Sequence, residues 1–285
     1  MSTPPKAPDD GAAWLPRSDN TPQELLLAFY GRFVLDHPSR GQVSSRVLLD
    51  VLRPLGISEA AVRAALKRMV QRDLLSREQT GRVAAFGLTS RSVDVLGEGR
   101  VRVTAEHPFT TASHQWTLLS YTVPESMRDV RHQLRSELQW AGFGRLRDGL
   151  WIAPGVVEPT RILDRIDAPD AETYVFAGEL VGGTSADRFI NTAWDLDRIS
   201  SQHRAFALNW SDAHSDLTNP VTAMTAMGAD WLRLLRADPG FPAEFLPPEW
   251  PADRSVEVYR SVIDAFEGPA EDMLDRMIAS GVDRR

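Results

Sequence analysis

From residue 21 onward the chain follows the helical hydrophobic period, then the strand period. Leu25, Leu26, Phe29, Phe33 and Val34 recur at helical spacing behind Thr21-Pro22-Gln23-Glu24, which supplies a cap, a proline at the first position and an early carboxylate. Gly41 breaks the chain, and Val43-Ser44-Ser45-Arg46 opens a second helix. Its apolar side is Val47, Leu48, Val51 and Leu52, and Pro54 and Gly56 stop it. After the Gly56-Ile57 turn, Ser58 caps a third helix. Val62, Leu66, Met69 and Asp73 fall on its inner side, flanked by Val70 and Leu74, while Ala60, Arg63, Ala64, Lys67, Arg68 and Gln71 fall on the opposite side. Leu74-Leu75-Ser76-Arg77 then starts a strand, Gln79-Thr80-Gly81-Arg82 turns it, and Val83–Leu88 returns.

Helix, helix, short turn, helix and two strands is the order of a winged helix-turn-helix domain. Small residues on the outer side of the third helix permit close approach to a groove. Lys and Arg supply phosphate contacts, and Arg can pair with a guanine edge. The candidate DNA-binding residues are Ser45, Arg46, Ser58, Arg63, Lys67, Arg68, Arg77 and Arg82. The plainer alternative is an amphipathic surface helix followed by an unrelated hairpin.

Beyond a junction of mixed character at 97–107, the periods alternate again. Gln115–Val123 reads as a strand ended by Pro124. Ser126–Ala141 reads as a helix with Met127, Val130, Leu134, Leu138 and Ala141 inward and a glycine cap at Gly142. Phe143–Leu146 and Leu150–Ala153 form a hairpin about Asp148-Gly149. A helix over Pro159–Ile166 and a strand over Thr173–Leu180 complete a β-α-β-β-α-β order, the ferredoxin-like pattern. The last third reads as helices over Asp187–His203, Pro220–Leu235 and Asp253–Ile278, the last interrupted near Gly268-Pro269, with a Pro-rich stretch at 243–251. The expected class is α+β and multidomain. Residues 1–20 are expected to form a disordered arm, 21–105 the winged helix-turn-helix domain, 106–184 the ferredoxin-like domain and 185–285 a helical C-terminal domain.

Charge sharpens this division. The chain carries −7 overall, yet residues 20–100 carry a net +4 and residues 101–285 a net −10. A basic head on an acidic body focuses the field where phosphate would sit. With no Cys, disulfides and thiolate metal sites are excluded. No apolar run approaches bilayer length, and the first residues lack the order of a signal peptide, so a cytoplasmic protein is expected.

Catalytic chemistry is thin. There is no phosphate-binding glycine loop and no His-Glu-x-x-His. Six His are scattered, His203 and His214 being the closest pair. Asp195 and Asp197 are two apart and point to different sides of a helix. Residues 116–123 lack the early strand carboxylate a nuclease would want. No catalytic residue, metal or cofactor is expected.

In this setting the chain resembles the PaaX-like winged-helix repressors of phenylacetate degradation. The resemblance rests on Val62-Arg63, Lys67-Arg68 and Leu74-Leu75, on Gly81-Arg82, and on Leu138–Gly144 and Gly149–Pro154. It also rests on Ala193-Trp194-Asp195-Leu196, and on Asp238-Pro239 through Leu246–Pro251. It implies a homodimeric repressor on double-stranded DNA with a palindromic operator. Release would follow binding of an aryl-coenzyme A thioester, phenylacetyl-coenzyme A or another acyl-coenzyme A. It further implies a middle domain like the small ferredoxin-fold nuclease of CRISPR systems. The chain departs from the pattern at Val83-Ala84-Ala85-Phe86, at Ala229–Arg233 and at Ala252, which leaves the effector open. An effector site needs aromatic walls and convergent cations. Among Trp140, Trp151, Trp194 and Trp231 with Arg147, Arg198 and His203, the selected set is Trp151, Trp194, Arg198 and His203, with Arg198 one turn from Trp194 on one helix face. The competing function is a coenzyme A-thioester-processing enzyme or nuclease built on the ferredoxin-like domain.

Overall fold

The computed structural model describes residues 20–80, 83–111, 113–124, 127–164, 172–181, 186–211 and 219–282. The N-terminal arm, Gly81-Arg82 and His214 lie outside the described residues. The protein is a mixed α+β chain with N-terminal helices, a middle sheet and C-terminal helices. It divides into two compact units, one of Met1–Ser92, Leu208–Gly228 and Arg260–Arg285, the other of Val93–Ala207 and Ala229–Tyr259. These units do not coincide with segment boundaries at 105 and 184.

In the first unit, α1 (Pro22–Phe33), α2 (Ser45–Leu52) and α3 (Glu59–Gln71) surround a core that includes Leu25, Phe29, Leu48, Val62 and Met69. The predicted cap of α1 is a complete capping box between Thr21 and Glu24. The sheet has three antiparallel strands in the order β1-β3-β2, over Val43–Ser44, Val83–Leu88 and Leu75–Thr80. Val43-Ser44, read as the start of α2, is instead a short strand paired to Phe86 and Ala85. Ser44 still caps α2 through its hydroxyl. The phenol of Tyr30 donates to the Phe86 carbonyl at 3.0 Å, and burial pushes its pKa up, so it stays a donor.

Asp73 also departs from expectation. Helix α3 ends before it, and Asp73 is exposed with a φ of 54°. Its N–H bonds the Val70 carbonyl at 3.1 Å, and the N–H of Leu74 bonds that of Met69 at 2.8 Å. This is a Schellman closure with Asp in the position glycine usually takes. Ala65 takes the inner position instead, with no exposed surface.

The segment 97–107 is mostly helix, not junction: α4 spans Ser90–Val103. Two glycines, four valines and a single fully buried residue, Ser92, hide its period. Its start is set by Thr89, whose hydroxyl accepts from the Ser92 N–H at 3.2 Å.

The second unit holds β4 (Trp116–Thr122), α5 (Arg128–Trp140), β5 (Gly144–Arg147), β6 (Leu150–Pro154), α6 (Thr160–Asp164) and β7 (Glu172–Gly178). All pairings are antiparallel in the order β5-β6-β4-β7. Alternation sends Leu119, Tyr121, Trp151 and Ala153 to one face, where they pack with Leu134 and Leu138 of α5 and with Met127, Val130 and Ala141. Trp116 and Ile152 go to the other face, with Ile190, Phe241 and Trp194. Gly142, with φ of 87°, closes α5 as predicted.

The expected single helix over 187–203 is two, α7 (Ala186–Ala193) and α8 (Leu196–Ser211). Asp195 separates them, its carboxylate accepting the Arg198 N–H at 2.9 Å as the cap of α8. Helix α9 spans Pro220–Ala237 and α10 spans Ala252–Val282. The expected break at Gly268-Pro269 is absent, since α10 continues through Pro269. An interior proline costs roughly 3 kcal/mol. Fully buried Ala270 and Leu274, immediately beyond it, supply packing that offsets this cost. The Pro-rich stretch forms only a 3-10 turn at Ala243–Phe245.

Candidate nucleic-acid interface and ligand residues

Helix α3 is amphipathic in the sense its sequence requires. Ser58 caps it through the Ala61 N–H at 3.2 Å. Ala60, Arg63, Ala64, Lys67, Arg68 and Gln71 are all exposed. Lys67 and Arg68 make no ion pair with any described residue. Arg63 is not free in this way, because its guanidinium pairs with Glu59 one turn earlier, both side chains more than half exposed. Such a pair contributes little to stability, but it sets a carboxylate beside a cation that phosphate would need.

The other predicted DNA contacts are spread around this helix. Arg46 is exposed, with Asp50 4.0 Å away on α2, and Ser45 is half-buried at the start of that helix. Ser58 is exposed at the start of α3. Arg77 is exposed on β2 and bonds Gln79 of its own strand at 3.3 Å. The register closes at Thr80 opposite Val83, so the hairpin is two residues tighter than a turn starting at Gln79. The first unit thus presents a basic helix face and a two-stranded hairpin whose exposed residues are polar on β2, at Arg77, Glu78 and Gln79, and apolar at Val83 on β3.

The four effector candidates are not brought together. Trp151 is 1% exposed on the α5 side of the sheet, whereas Trp194 packs on the opposite side. There its ring meets Phe241 edge-on at 5.0 Å and Trp116 at 6.4 Å. Arg198 is exposed in the first turn of α8 and, across the Asp195 cap, does not share a helix face with Trp194. His203 has no exposed surface. Its Nε2 lies 3.1 Å from Asp238 and its Nδ1 3.0 Å from Ser255, so both ring nitrogens are occupied. Asp238 also accepts from Trp250 at 3.2 Å and from the Gly240 N–H at 2.9 Å. This network knits the second unit's interior. The remaining aromatics are structural too: Trp231 stacks on Tyr259 at 4.1 Å, and Trp140 lies under Arg236 at 4.5 Å.

Sequence reasoning missed two arginines, buried Arg40 and half-buried Arg102. Arg40 bonds Glu271, Asp275 and the Phe33 carbonyl. Arg102 donates to the carbonyls of Leu235, Asp238 and Pro108, serving the carbonyl end of α9. Burial pushes the Arg102 pKa down, and the charge of Asp238 opposes that shift. Only a stretch without helical period, such as 97–107, could have hinted at a buried cation.

The PaaX-like protein model matches residues 21–92, and that of the PaaX protein central Cas2-like domain matches 110–190. The PaaX-like protein C-terminal domain model matches 194–276. The chain belongs to the PaaX-like family. The first family segment ends at the residue where the first stretch of unit one ends. Among solved structures, an uncharacterized Mycobacterium tuberculosis protein, Rv0674, shares the fold at TM-score 0.53 and 22% identity, over 90% of this chain and 99% of that one. No curated protein is matched. Among the described residues, no helix is long and apolar enough to cross a membrane, and no group of three metal-ligating side chains converges.

Proposed function

We propose that this protein is a DNA-binding transcriptional regulator, a repressor of an aromatic-acid catabolic operon. Members of the PaaX-like family are regulators in phenylacetate catabolism. In this reading α1–α3 with β2–β3 act as a winged helix-turn-helix domain. The middle β-α-β-β-α-β segment acts as a ferredoxin-like platform, followed by the helical C-terminal segment. The observation that carries it is the outer face of α3, where Ala60 and Ala64 leave room for a groove and Lys67 and Arg68 stand exposed.

One winged helix buries roughly 600–1,000 Å² on DNA, too little for specific binding at physiological salt, so the reading includes a homodimer on a palindromic operator. Exposed Tyr174 and Phe176 on β7, the outer strand of its sheet, support self-association. The effector, an aryl-coenzyme A thioester or related acid, binds the second unit and favours the DNA-free form. Of the predicted residues, half-buried Trp194 and exposed Arg198 remain available to it.

The test is an electrophoretic shift of the full chain on the DNA upstream of its own gene. Acyl-coenzyme A thioesters and free aromatic acids serve as releasing ligands. A specific shift relieved by one of them is the expected result. Absence of any sequence-specific shift at low salt rejects the regulator reading.

A further inference from the structure

We propose that the outer face of α5, together with β5, binds a compact small molecule carrying two or more phosphates. The site is built from the second unit alone; its coenzyme A arm rests on the effector reading above, and its nucleoside polyphosphate arm stands without it. Arg128, Arg131, His132 and Arg135 recur at i, i+3, i+4 and i+7, so one helix face carries them all. They line a groove of about 550 Å³. An adjoining hollow of about 340 Å³ shares His132 and Arg135 and adds Arg145 and Trp151. Arg145 is the cross-strand partner of Trp151, which packs beneath α5, so its side chain lies on the α5 side of the sheet.

Two donors in this lining are shielded from solvent and lack a hydrogen-bond partner among the described residues: Arg135 Nε and Trp151 Nε1. A buried donor without an acceptor costs about 1–3 kcal/mol, so a small shift of the lining that turns these donors toward a bound anion is favoured. Arg131 is steered by a 3.0 Å bond to the Val123 carbonyl. The one carboxylate paired to the cluster among the described residues is Asp148, 2.9 Å from Arg145 and 3.6 Å from Arg135. Its side chain is 85% exposed, so phosphate can displace it at little cost. Asp129 and Glu137 fall on other sides of the helix by spacing.

The cations converge on a concavity in the size range of small-ligand sites, roughly 300–1,000 Å³. Trp151, 1% exposed, lines the hollow itself and not the open surface around it. A multiply phosphorylated small molecule therefore fits better than DNA. Two sources share this chemistry, a nucleoside polyphosphate and the bisphosphorylated adenosine end of coenzyme A.

The experiment is calorimetry on the full chain with ATP, adenosine 3′,5′-bisphosphate, coenzyme A and pyrophosphate, repeated on a duplex of random sequence. The variants are Arg128→Gln/Arg135→Gln and Arg135→Lys, each with its melting temperature measured. The expected result is saturable binding of at least one organic phosphate, with pyrophosphate competing and a change in Trp fluorescence. The double variant, still folded, should bind at least roughly tenfold more weakly, and Arg135→Lys should recover part of the loss. Binding of ATP alone assigns a nucleoside polyphosphate, and binding of the bisphosphate and coenzyme A alone assigns the coenzyme. The proposal is overturned if none of the small phosphates binds, if the folded double variant binds them equally well, or if only duplex affinity falls. A double variant that does not fold shifts the decision to Arg135→Lys, whose unchanged affinity also overturns it.

Discussion

Arg40 Nε donates to Oδ1 of Asp275 at 2.9 Å, joining residues 235 positions apart in sequence. Arg40 is 6% exposed, and the same guanidinium pairs with Glu271. The N-terminal helices and the end of α10 therefore belong to one unit, held by a forked cation. Burial lowers the Arg40 pKa, but the bonds to Glu271 and Asp275 outweigh it and hold the group above its ordinary value. Arg40→Ala should destabilise the protein by about 1–3 kcal/mol, the lower part of the range applying because the carboxylates left behind can hydrate. Arg40→Lys should recover only part, since an ammonium cannot serve both carboxylates in fork geometry. Urea unfolding measures both, and an unchanged midpoint for Arg40→Ala contradicts the account.

The α3 face makes opposite predictions for neighbouring charges. Lys67→Ala and Arg68→Ala should each weaken DNA binding across sequences and lower the salt slope by about one. Arg63→Ala should cost about 1–3 kcal/mol and relax one base step if Arg63 reads guanine. Glu59→Gln should strengthen binding, because it frees Arg63 and removes a like charge from phosphate. Fluorescence anisotropy against salt concentration reads all four. Affinity that is lower, not higher, in Glu59→Gln would rule out Arg63 as a contact.

Asp238 is a buried centre of polar order in the second unit. It holds His203, Trp250 and the Gly240 N–H with no surface exposed. Asp238→Ala strands three donors and should cost about 3–5 kcal/mol. Ser255→Ala, which frees one His203 nitrogen and removes a hydroxyl from the His203 carbonyl at 3.2 Å, should cost about 1 kcal/mol. Thermal unfolding followed by Trp fluorescence separates the two, and equal losses would show that the network is not centred on Asp238.

Gly144 lets Trp194 lie flat on β5. A Cβ there would come within 2.5 Å of the indole Cε2. Gly144→Ala should therefore push Trp194 off the sheet, at about 1–3 kcal/mol, and change indole emission. Wild-type emission and stability together would show that the ring moves aside freely.

Much of this protein was determined by its sequence. Apolar spacing fixed α1, α2, α3 and α5, the hairpins, and the inner residues Leu134 and Leu138, because one buried face writes its period directly into the chain. Capping residues marked starts and stops to within a residue or two at Thr21, Ser58 and Gly142. The outer side of α3 was legible for the same reason, since polar residues there have no inward partner. The cationic face of α5 was written in 128–135 with equal clarity, but its meaning needed the hollow beside it. Tertiary structure alone decided the rest. Helix α4 has almost no buried stripe, so its helix left no period. Pro269 stays helical because Ala270 and Leu274 are buried beyond it. His203, Asp238 and Ser255 come from separate segments, and Trp151 and Trp194 fall on opposite faces of one sheet. Neither meeting nor separation follows from local spacing, because each depends on which strand pairs with which and on where distant helices close over them.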